Sequence, residues 1–224
     1  FPVSAKNQFQ VSAKSIPATS IGGDFYDFIE NDSERLGIVM GDVSGKGVPA
    51  ALYMARLVSD FRFHSQIRQN VCETLAIIND LLVERGRRGM FVTLQYLVAE
   101  LATGRVEVAS AGHLPALHVL RDGRGCKLIE NHVGVPLGIL PGINFASQTI
   151  QLEHGDYLVS FTDGIIEAKN KKGEQFSLQR LIKFLNRPWA TPDDIVNQLI
   201  KEIKHFTRGA SQHDDLTVTA FKWC

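Results

Sequence analysis

Four aspartates lie where a strand-like stretch of the sequence meets a tight turn, a place where a rigid scaffold can present side chains to a site. The paired glycines Gly22 and Gly23 open the turn before the first of them, and Gly164 directly follows the third. Glycine allows backbone conformations that are closed to other residues, so each turn can be sharp. The four aspartates are Asp24, Asp42, Asp163 and Asp214.

Any one of these aspartates could be explained by turn formation or helix capping. The set is harder to explain that way, because a carboxylate at the end of an apolar strand lies beside the core, where unpaired charge is costly. Converging carboxylates would also repel one another unless cations neutralised them. An all-oxygen ligand set favours Mg²⁺ or Mn²⁺, whereas zinc would call for histidine or cysteine at short spacing. The spacing alone leaves convergence open.

Three other catalytic patterns are excluded by the residues themselves. The stretch around Gly41 and Lys46 resembles a nucleotide phosphate loop, but its spacing is one residue short and Gly47 replaces the required serine or threonine. The letters GGDF at residues 22–25 echo diguanylate cyclases, but the rest of that pattern is missing. No serine stands in a nucleophile-elbow sequence, so Ser-His-Asp catalysis has no support.

Two histidines and one basic loop remain as possible accessories of an acidic site. His113, in a Gly-His-Leu-Pro turn, could act as a general acid, but we favour a histidine that is packed or hydrogen-bonded locally. His213 precedes Asp214 and is expected to face solvent. The short basic loop at 169–173 (KNKKG) is a solvated turn in the simplest interpretation, with docking of a phosphorylated partner as the alternative.

The elements that must position these residues form a mixed pattern. Apolar or alternating segments predict strands at 36–43, 90–101, 105–111, 116–120, 144–152, 157–161 and 216–223. Helical periodicity follows Pro49, resumes at Val71, and opens again at Thr191 and Pro192, a cap followed by a first-turn proline. Early and late helices around a block of strands predict antiparallel sheets covered by helices, an α+β fold.

Composition narrows the function classes. The chain has 224 residues, enough for one sizeable domain, and its 24 lysines and arginines balance 24 acidic residues. This balance gives no reason to expect a nucleic acid or a membrane surface as a partner. No apolar run approaches the roughly 18 residues of a membrane span. Three scattered cysteines suit a reducing compartment, so we expect a cytoplasmic protein.

Six motifs along the chain resemble those of the SpoIIE-type phosphatases, the bacterial branch of the metal-dependent serine/threonine phosphatases related to type 2C enzymes. They are IGGDFYDF at 21–28, GDVSGKGVPAA at 41–51, SAGHLPAL at 110–117, PLGIL at 136–140, FTDGIIEA at 161–168 and QHDDLTV at 212–218. The resemblance covers nearly the whole chain. It implies an α-β-β-α sandwich of two mostly antiparallel sheets flanked by helices, with a two-metal centre at one end.

The resemblance also implies a role for each acidic position. Asp42 would bridge two divalent cations, Mn²⁺ or Mg²⁺, and Asp163 and Asp214 would complete one of the sites. Asp24 and the backbone carbonyl of Val43 would serve the other. Catalysis would run through metals held by Asp42 and Asp163, with no protein nucleophile. Asp27 and Asp215 resemble supporting positions and are not expected to be ligands.

The implied activity is hydrolysis of phosphoserine or phosphothreonine on a regulatory protein, in particular an anti-anti-sigma-type regulator of a partner-switching system. Two alternatives stay open: a hydrolase of small phosphomonoesters or nucleotides, and a silent phosphatase fold that only binds. We expect residues 1–224 to be one catalytic domain excised from a longer protein with an upstream sensory domain. We also expect the helix after Pro49 to control activity, through homodimerisation that involves Leu52 and Phe63 on its outer face.

Overall fold

A computed structural model of the protein describes residues 1–4, 6–45, 47–67, 70–85, 89–129 and 134–224. Lys46, which the sequence argument used to exclude a nucleotide loop, lies outside them. The strands are β1 (Phe9–Ile16), β2 (Asp24–Glu30), β3 (Arg35–Val43), β4 (Val92–Glu100), β5 (Arg105–Ala111), β6 (Leu117–Val119), β7 (Cys126–Leu128), β8 (Ser147–Gln151), β9 (Tyr157–Phe161) and β10 (Leu216–Trp223). The α-helices are α1 (Val48–Ile67), α2 (Val71–Arg85), α3 (Asp163–Glu167), α4 (Leu178–Leu185) and α5 (Pro192–Phe206).

The strands form two five-stranded antiparallel sheets. One has the order β2-β3-β4-β5-β8 and is called the front sheet here. The other has the order β1-β10-β9-β6-β7 and is called the back sheet. Two neighbouring pairs of the front sheet, β2 with β3 and β4 with β5, join through short turns, and the turn between β4 and β5 is the one that the sequence predicts at Thr103 and Gly104. Helices α1 and α2 lie between β3 and β4 in the chain.

Three apolar clusters fix the layer order. Between the sheets lie side chains of both, including Ile38 and Leu97 from the front sheet and Leu158 and Phe221 from the back sheet. Helices α1 and α2 cover the outer face of the front sheet, and α4 and α5 cover the back sheet. The expected α-β-β-α sandwich is confirmed.

The long helices follow from their apolar spacing. On α1 the side chains of Ala50, Leu57 and Phe61 are buried against the front sheet, as the periodicity predicts. Helix α5 starts with a capping box, in which Thr191 accepts from the backbone N–H of Asp194 and the Asp194 carboxylate accepts from that of Thr191. These contacts satisfy N–H groups that a helix start leaves without partners.

Among the described residues, no helix combines the length and apolarity that crossing a membrane requires.

Candidate metal centre

Two of the predicted ligands face each other across neighbouring strands. Asp24 of β2 pairs in register with Asp42 of β3, which in turn pairs with Thr93 of β4. Side chains of directly opposed residues in an antiparallel sheet point to the same face. That face is the inner one at the Asp24 position, because an Asp24 carboxylate oxygen accepts a hydrogen bond of 2.6 Å from the Thr162 hydroxyl of the back-sheet side.

Gly23 shows how closely oxygen atoms gather beside this pair. A Cβ atom at this position would lie 2.7 Å from the carbonyl oxygen of Val43 and 3.1 Å from a carboxylate oxygen of Asp42. Both oxygens therefore surround one small volume that only a residue without a side chain leaves open. Such oxygen donors are the ligands that Mg²⁺ and Mn²⁺ prefer, so the donor set fits these ions.

The other two aspartates meet at the end of the back sheet. Asp163 begins α3 immediately after β9, and Asp214 lies in the exposed turn before β10. A Cβ atom at Gly164 would overlap with the carbonyl oxygen of Asp215, so the two segments pack backbone against backbone. This close approach explains the glycine of the Asp-Gly pair. Burial first, and then the charges of Asp214 and Glu167, raise the pKa of Asp163.

A cavity of about 120 Å³ joins the two pairs. Its lining includes Asp42, Val43 and Asp214, together with Gly23 and Asp215. Asp24 and Asp163 lie next to it without lining it. As the side chains stand in the described parts of the chain, no group of three or more histidine, cysteine or acidic residues is arranged so that it could hold a metal ion. The four aspartates lie at one edge of the sandwich in two pairs. Asp42 of one pair and Asp214 of the other line the same cavity.

The surroundings of Asp24 disfavour the charged form of its carboxylate. Burial raises its pKa to about 8, the charges of Asp42 and Asp215 add to the rise, and hydrogen bonds from Thr162 and Thr217 oppose it. A carboxylate with so high a pKa holds a proton at neutral pH unless positive charge comes near. A cation would supply that charge, which is a second way in which this site suits a metal.

Asp215 holds the chain before Asp24 through hydrogen bonds to the backbone. Its side chain is buried, and its two oxygens accept hydrogen bonds of 2.8 Å from the backbone N–H groups of Ala18 and Gly23. A Cβ atom at Gly22 would overlap with the same carboxylate. Asp215 directly precedes β10 of the back sheet, and from there its carboxylate fixes the turn that leads into Asp24 of the front sheet.

Asp27 has a different supporting contact. It forms a bidentate ion pair with Arg62 of α1, in which Nη2 lies 2.8 Å from Oδ1. The pair connects the outer helix to β2 only three residues after Asp24. Sequence reasoning missed this link because the two residues are far apart in the chain and no local pattern relates them.

The two histidines have separate environments. His113 is buried between the sheets, where its Nδ1 lies 3.0 Å from the hydroxyl oxygen of Thr93. Burial lowers its pKa to about 4, against a smaller opposite effect of the Phe161 carbonyl. The ring is therefore neutral at pH 7, which supports the locally bonded interpretation over a general acid. His213 is exposed, as expected.

Two facing antiparallel sheets with outer helices and an acidic edge define the fold of the type 2C-like phosphatases. Within that class, the family described as Stage II sporulation protein E (SpoIIE) matches residues 32–224. The chain belongs to this family. Asp24 lies just before the matched range.

Individual relatives agree with this assignment. Protein IcfG of Synechocystis is 28% identical over 95% of this chain and 38% of its own length. Phosphoserine phosphatase RsbU of Bacillus subtilis is 27% identical over 98% of this chain and 65% of its own length. A crystal structure of the RsbU and RsbW domains of a Mycobacterium tuberculosis protein superposes with a TM-score of 0.80 at 26% identity, over 96% of this chain and 61% of that one. The chain therefore spans less than two thirds of each of these relatives.

Proposed function

We propose that this chain is a metal-dependent phosphatase that hydrolyses phosphoserine or phosphothreonine on a regulatory protein. The observation that carries the proposal is the gathering of oxygen donors at one edge, where Asp42, Val43 and Asp214 line one cavity. Asp24 pairs with Asp42 on the neighbouring strand, and Asp163 lies on the other side of the same edge. Membership of the SpoIIE family supports the same reaction.

Two divalent cations, Mn²⁺ or Mg²⁺, are the proposed cofactors. Asp42 would contribute to both, Asp163 and Asp214 to one, and Asp24 with the Val43 carbonyl to the other. Bound there, such ions supply Lewis-acid activation of water and neutralise charge on the phosphoryl oxygens. No serine, cysteine or other protein nucleophile enters this proposal.

The residues of the chain hold this edge in shape before any substrate arrives. The Thr162 hydroxyl fixes one carboxylate oxygen of Asp24, and Asp215 fixes the turn before it through two backbone N–H groups. Preorganised groups of this kind need little rearrangement as negative charge develops in the transition state. The slow hydrolysis of phosphate monoesters in water makes this electrostatic contribution the main requirement.

A protein substrate agrees with the surroundings of the edge. A second cavity of about 250 Å³ lies on the other side of Asp214, and Lys169 and Lys204 line it. These side chains could contact residues flanking a phosphoserine. The name of the relative RsbU, phosphoserine phosphatase, supports phosphoserine as the group hydrolysed. The resemblance to SpoIIE-type phosphatases is the ground on which we propose an anti-anti-sigma-type regulator as the substrate class.

The experiment first strips the protein with a chelator and then adds Mn²⁺ or Mg²⁺ back. The substrates are a phosphorylated anti-anti-sigma protein, a phosphoserine peptide derived from it, and free nucleotides. We expect hydrolysis only with metal, and faster hydrolysis of the phosphoprotein than of nucleotides. Faster turnover of nucleotides would instead indicate a hydrolase of small phosphomonoesters. A folded, metal-binding protein that releases phosphate from none of the three would indicate a binding module.

A further inference from the structure

The inner layer beneath the acidic edge is polar, although the rest of the space between the sheets is apolar. Four polar side chains meet there in two contacts, and all but the partly buried Thr93 are buried. They are Thr93 with His113, at 3.0 Å, and Gln95 with Ser160, at 3.1 Å. Buried polar groups cost free energy unless they are hydrogen-bonded, so this layer requires a specific arrangement.

Thr93 belongs to the same row as the proposed ligands. It lies directly opposite Asp42 on the neighbouring strand, and Asp42 lies opposite Asp24. Directly opposed residues have Cβ atoms about 5 Å apart, so the position of the Thr93 side chain limits the position of its neighbour. The imidazole of His113 contacts the Thr93 hydroxyl and thereby favours one rotamer of that side chain.

His113 stands between the two halves of the centre. It lies in the connection from β5 of the front sheet to β6 of the back sheet. Its backbone is tied down, because its N–H donates to the Ser110 hydroxyl at 3.2 Å and its carbonyl accepts from that hydroxyl at 3.1 Å.

The other ring nitrogen of His113 turns toward the back sheet. Nε2 is buried without a hydrogen-bond partner of good geometry among the described residues, although the Phe161 carbonyl is near enough to influence the ring. Phe161 ends β9, two residues before Asp163. The ring therefore lies between Thr93, the neighbour of Asp42 in one sheet, and the end of β9, the strand that leads to Asp163, in the other.

We propose that Thr93 and the buried His113 form a positioning pair that sets the placement of Asp42 relative to Asp163, and hence the affinity of the centre for divalent cations. This inference rests on the proposed function. Neither residue lines the cavity beside Asp42, where substrate would bind. Both therefore act through the aspartates.

The test measures Mn²⁺ affinity by isothermal titration calorimetry on metal-stripped protein at pH 7.5, alongside the melting temperature in chelator. Thr93→Val keeps the shape of the side chain and removes its hydroxyl, His113→Asn removes the ring, and Thr93→Ser keeps the hydroxyl. We expect the first two variants to weaken Mn²⁺ binding about tenfold, which corresponds to about 1.4 kcal/mol. The double variant should be no weaker than either single variant, because the two residues act as one unit. Thr93→Ser should retain the affinity of the natural protein.

His118→Asn is the matched control. This partly buried histidine of β6 also has one polar partner, since its Nε2 lies 2.7 Å from an Asp156 oxygen, but Asp156 precedes β9 at the end opposite Asp163. His118→Asn should lower the melting temperature and leave Mn²⁺ affinity unchanged. If Thr93→Val and His113→Asn bind Mn²⁺ as the natural protein does and only melt earlier, the pair is structural and the inference is wrong. If the natural protein itself binds no Mn²⁺, the proposed function fails and the inference fails with it.

Discussion

Asp42 lies between other residues of the acidic edge. It faces Asp24 on one side and Thr93 on the other, and it lines the cavity shared with Val43 and Asp214. Its charge is therefore the one whose removal should affect both proposed cation positions. Asp163 lies beside Asp214 at the end of the back sheet, where the two are proposed to hold one of the cations.

We expect Asp42→Asn and Asp163→Asn each to lower turnover by about a thousandfold or more at saturating Mn²⁺, because several kcal/mol of charge stabilisation would be lost. Asparagine keeps the shape of the side chain and relieves repulsion between carboxylates, so the metal-free variants should melt no earlier than the natural protein. Steady-state kinetics and thermal melts in chelator check both statements.

Asp122→Asn is the control for these substitutions. Asp122 is exposed, lies in the turn between β6 and β7, and has a positive φ of 60°, which asparagine tolerates well. Its turnover should match that of the natural protein. Retention of most activity and of normal metal dependence by Asp42→Asn would contradict the bridging role proposed for Asp42.

Gly23 provides a test that leaves every proposed ligand in place. In Gly23→Ala the new Cβ atom would lie 2.7 Å from the Val43 carbonyl oxygen, and that backbone atom has little freedom to move. We expect a loss of about 1–3 kcal/mol in the free energy of unfolding and a weaker Mn²⁺ affinity. Gly125→Ala, whose new Cβ would meet only a Leu120 side-chain atom at 3.4 Å, should leave both unchanged. Calorimetric titration and urea unfolding give the two quantities, and equal Mn²⁺ affinity in both variants would argue against a metal position beside Gly23.

At the scale of elements, the strongly apolar strands and the periodic helices were predictable. Strands β3, β5, β9 and β10 and helices α1, α2 and α5 all occur near their predicted positions. Strand β1 was missed because its exposed and buried residues do not alternate regularly, and β2 because the glycines before it and its two aspartates are typical of a loop. Helices α3 and α4 were also missed, at 5 and 8 residues long. A short helix gives too few periods to be recognised.

Helix α5 offers a prediction about stability alone. Thr191→Ala removes the hydroxyl that accepts from the Asp194 N–H, so it should lower the free energy of unfolding by about 1 kcal/mol. Lys201→Ala, at an exposed position on the same helix, should change it by less than about 0.5 kcal/mol. Urea unfolding measures both. Neither variant should alter kcat, because α5 packs on the outer face of the back sheet.

At the scale of the whole molecule, the register between the two sheets could not be read from the sequence. The motifs indicated which aspartates belong together, but the contacts that align the sheets join residues far apart in the chain. Asp215 with Gly23 and Thr162 with Asp24 are two such contacts. Each residue taken alone has an ordinary local explanation, so its role emerges only from the fold.

The burial of His113 between the sheets predicts a pH dependence of global stability. An unfolded histidine has a pKa of about 6.5, whereas burial lowers that of folded His113 to about 4. Between these values the unfolded chain binds a proton that the folded protein does not, so the stability contributed above pH 6.5 is lost as the pH falls toward 4.

We therefore expect the free energy of unfolding in chelator to fall more steeply from pH 6.5 to 4.5 in the natural protein than in His113→Asn. Guanidinium unfolding at several pH values gives the two slopes. His154→Asn, which alters an exposed histidine, should keep the slope of the natural protein. Parallel slopes for the natural protein and His113→Asn would show that the His113 ring is protonated equally in the folded and the unfolded protein.

Helix α1 connects the outer surface of the molecule to the metal edge. Its outer face exposes several large apolar side chains, as the sequence predicts for two of them: Val48, Leu52, Phe63 and Ile67. Exposure of scattered apolar residues is normal in itself. Here the helix is also tied to β2 through Arg62 and Asp27, so a shift of α1 would reach the strand that begins at Asp24.

We propose that dimerisation through α1 raises activity above that of the isolated chain. The ring centroids of Phe1 and Phe28 lie 5.7 Å apart, and both residues line a groove together with Arg62 of α1. A segment attached before Phe1 would therefore lie where α1 meets β2. A dimerising coiled coil fused there should increase the phosphatase rate at saturating Mn²⁺, and Leu52→Ser with Phe63→Ser should abolish the increase. The pair Ile139→Ser and Leu140→Ser, exposed outside α1, should preserve it. An unchanged rate on forced dimerisation, with no effect of the α1 substitutions on rate or oligomeric state, would leave α1 as a purely structural helix.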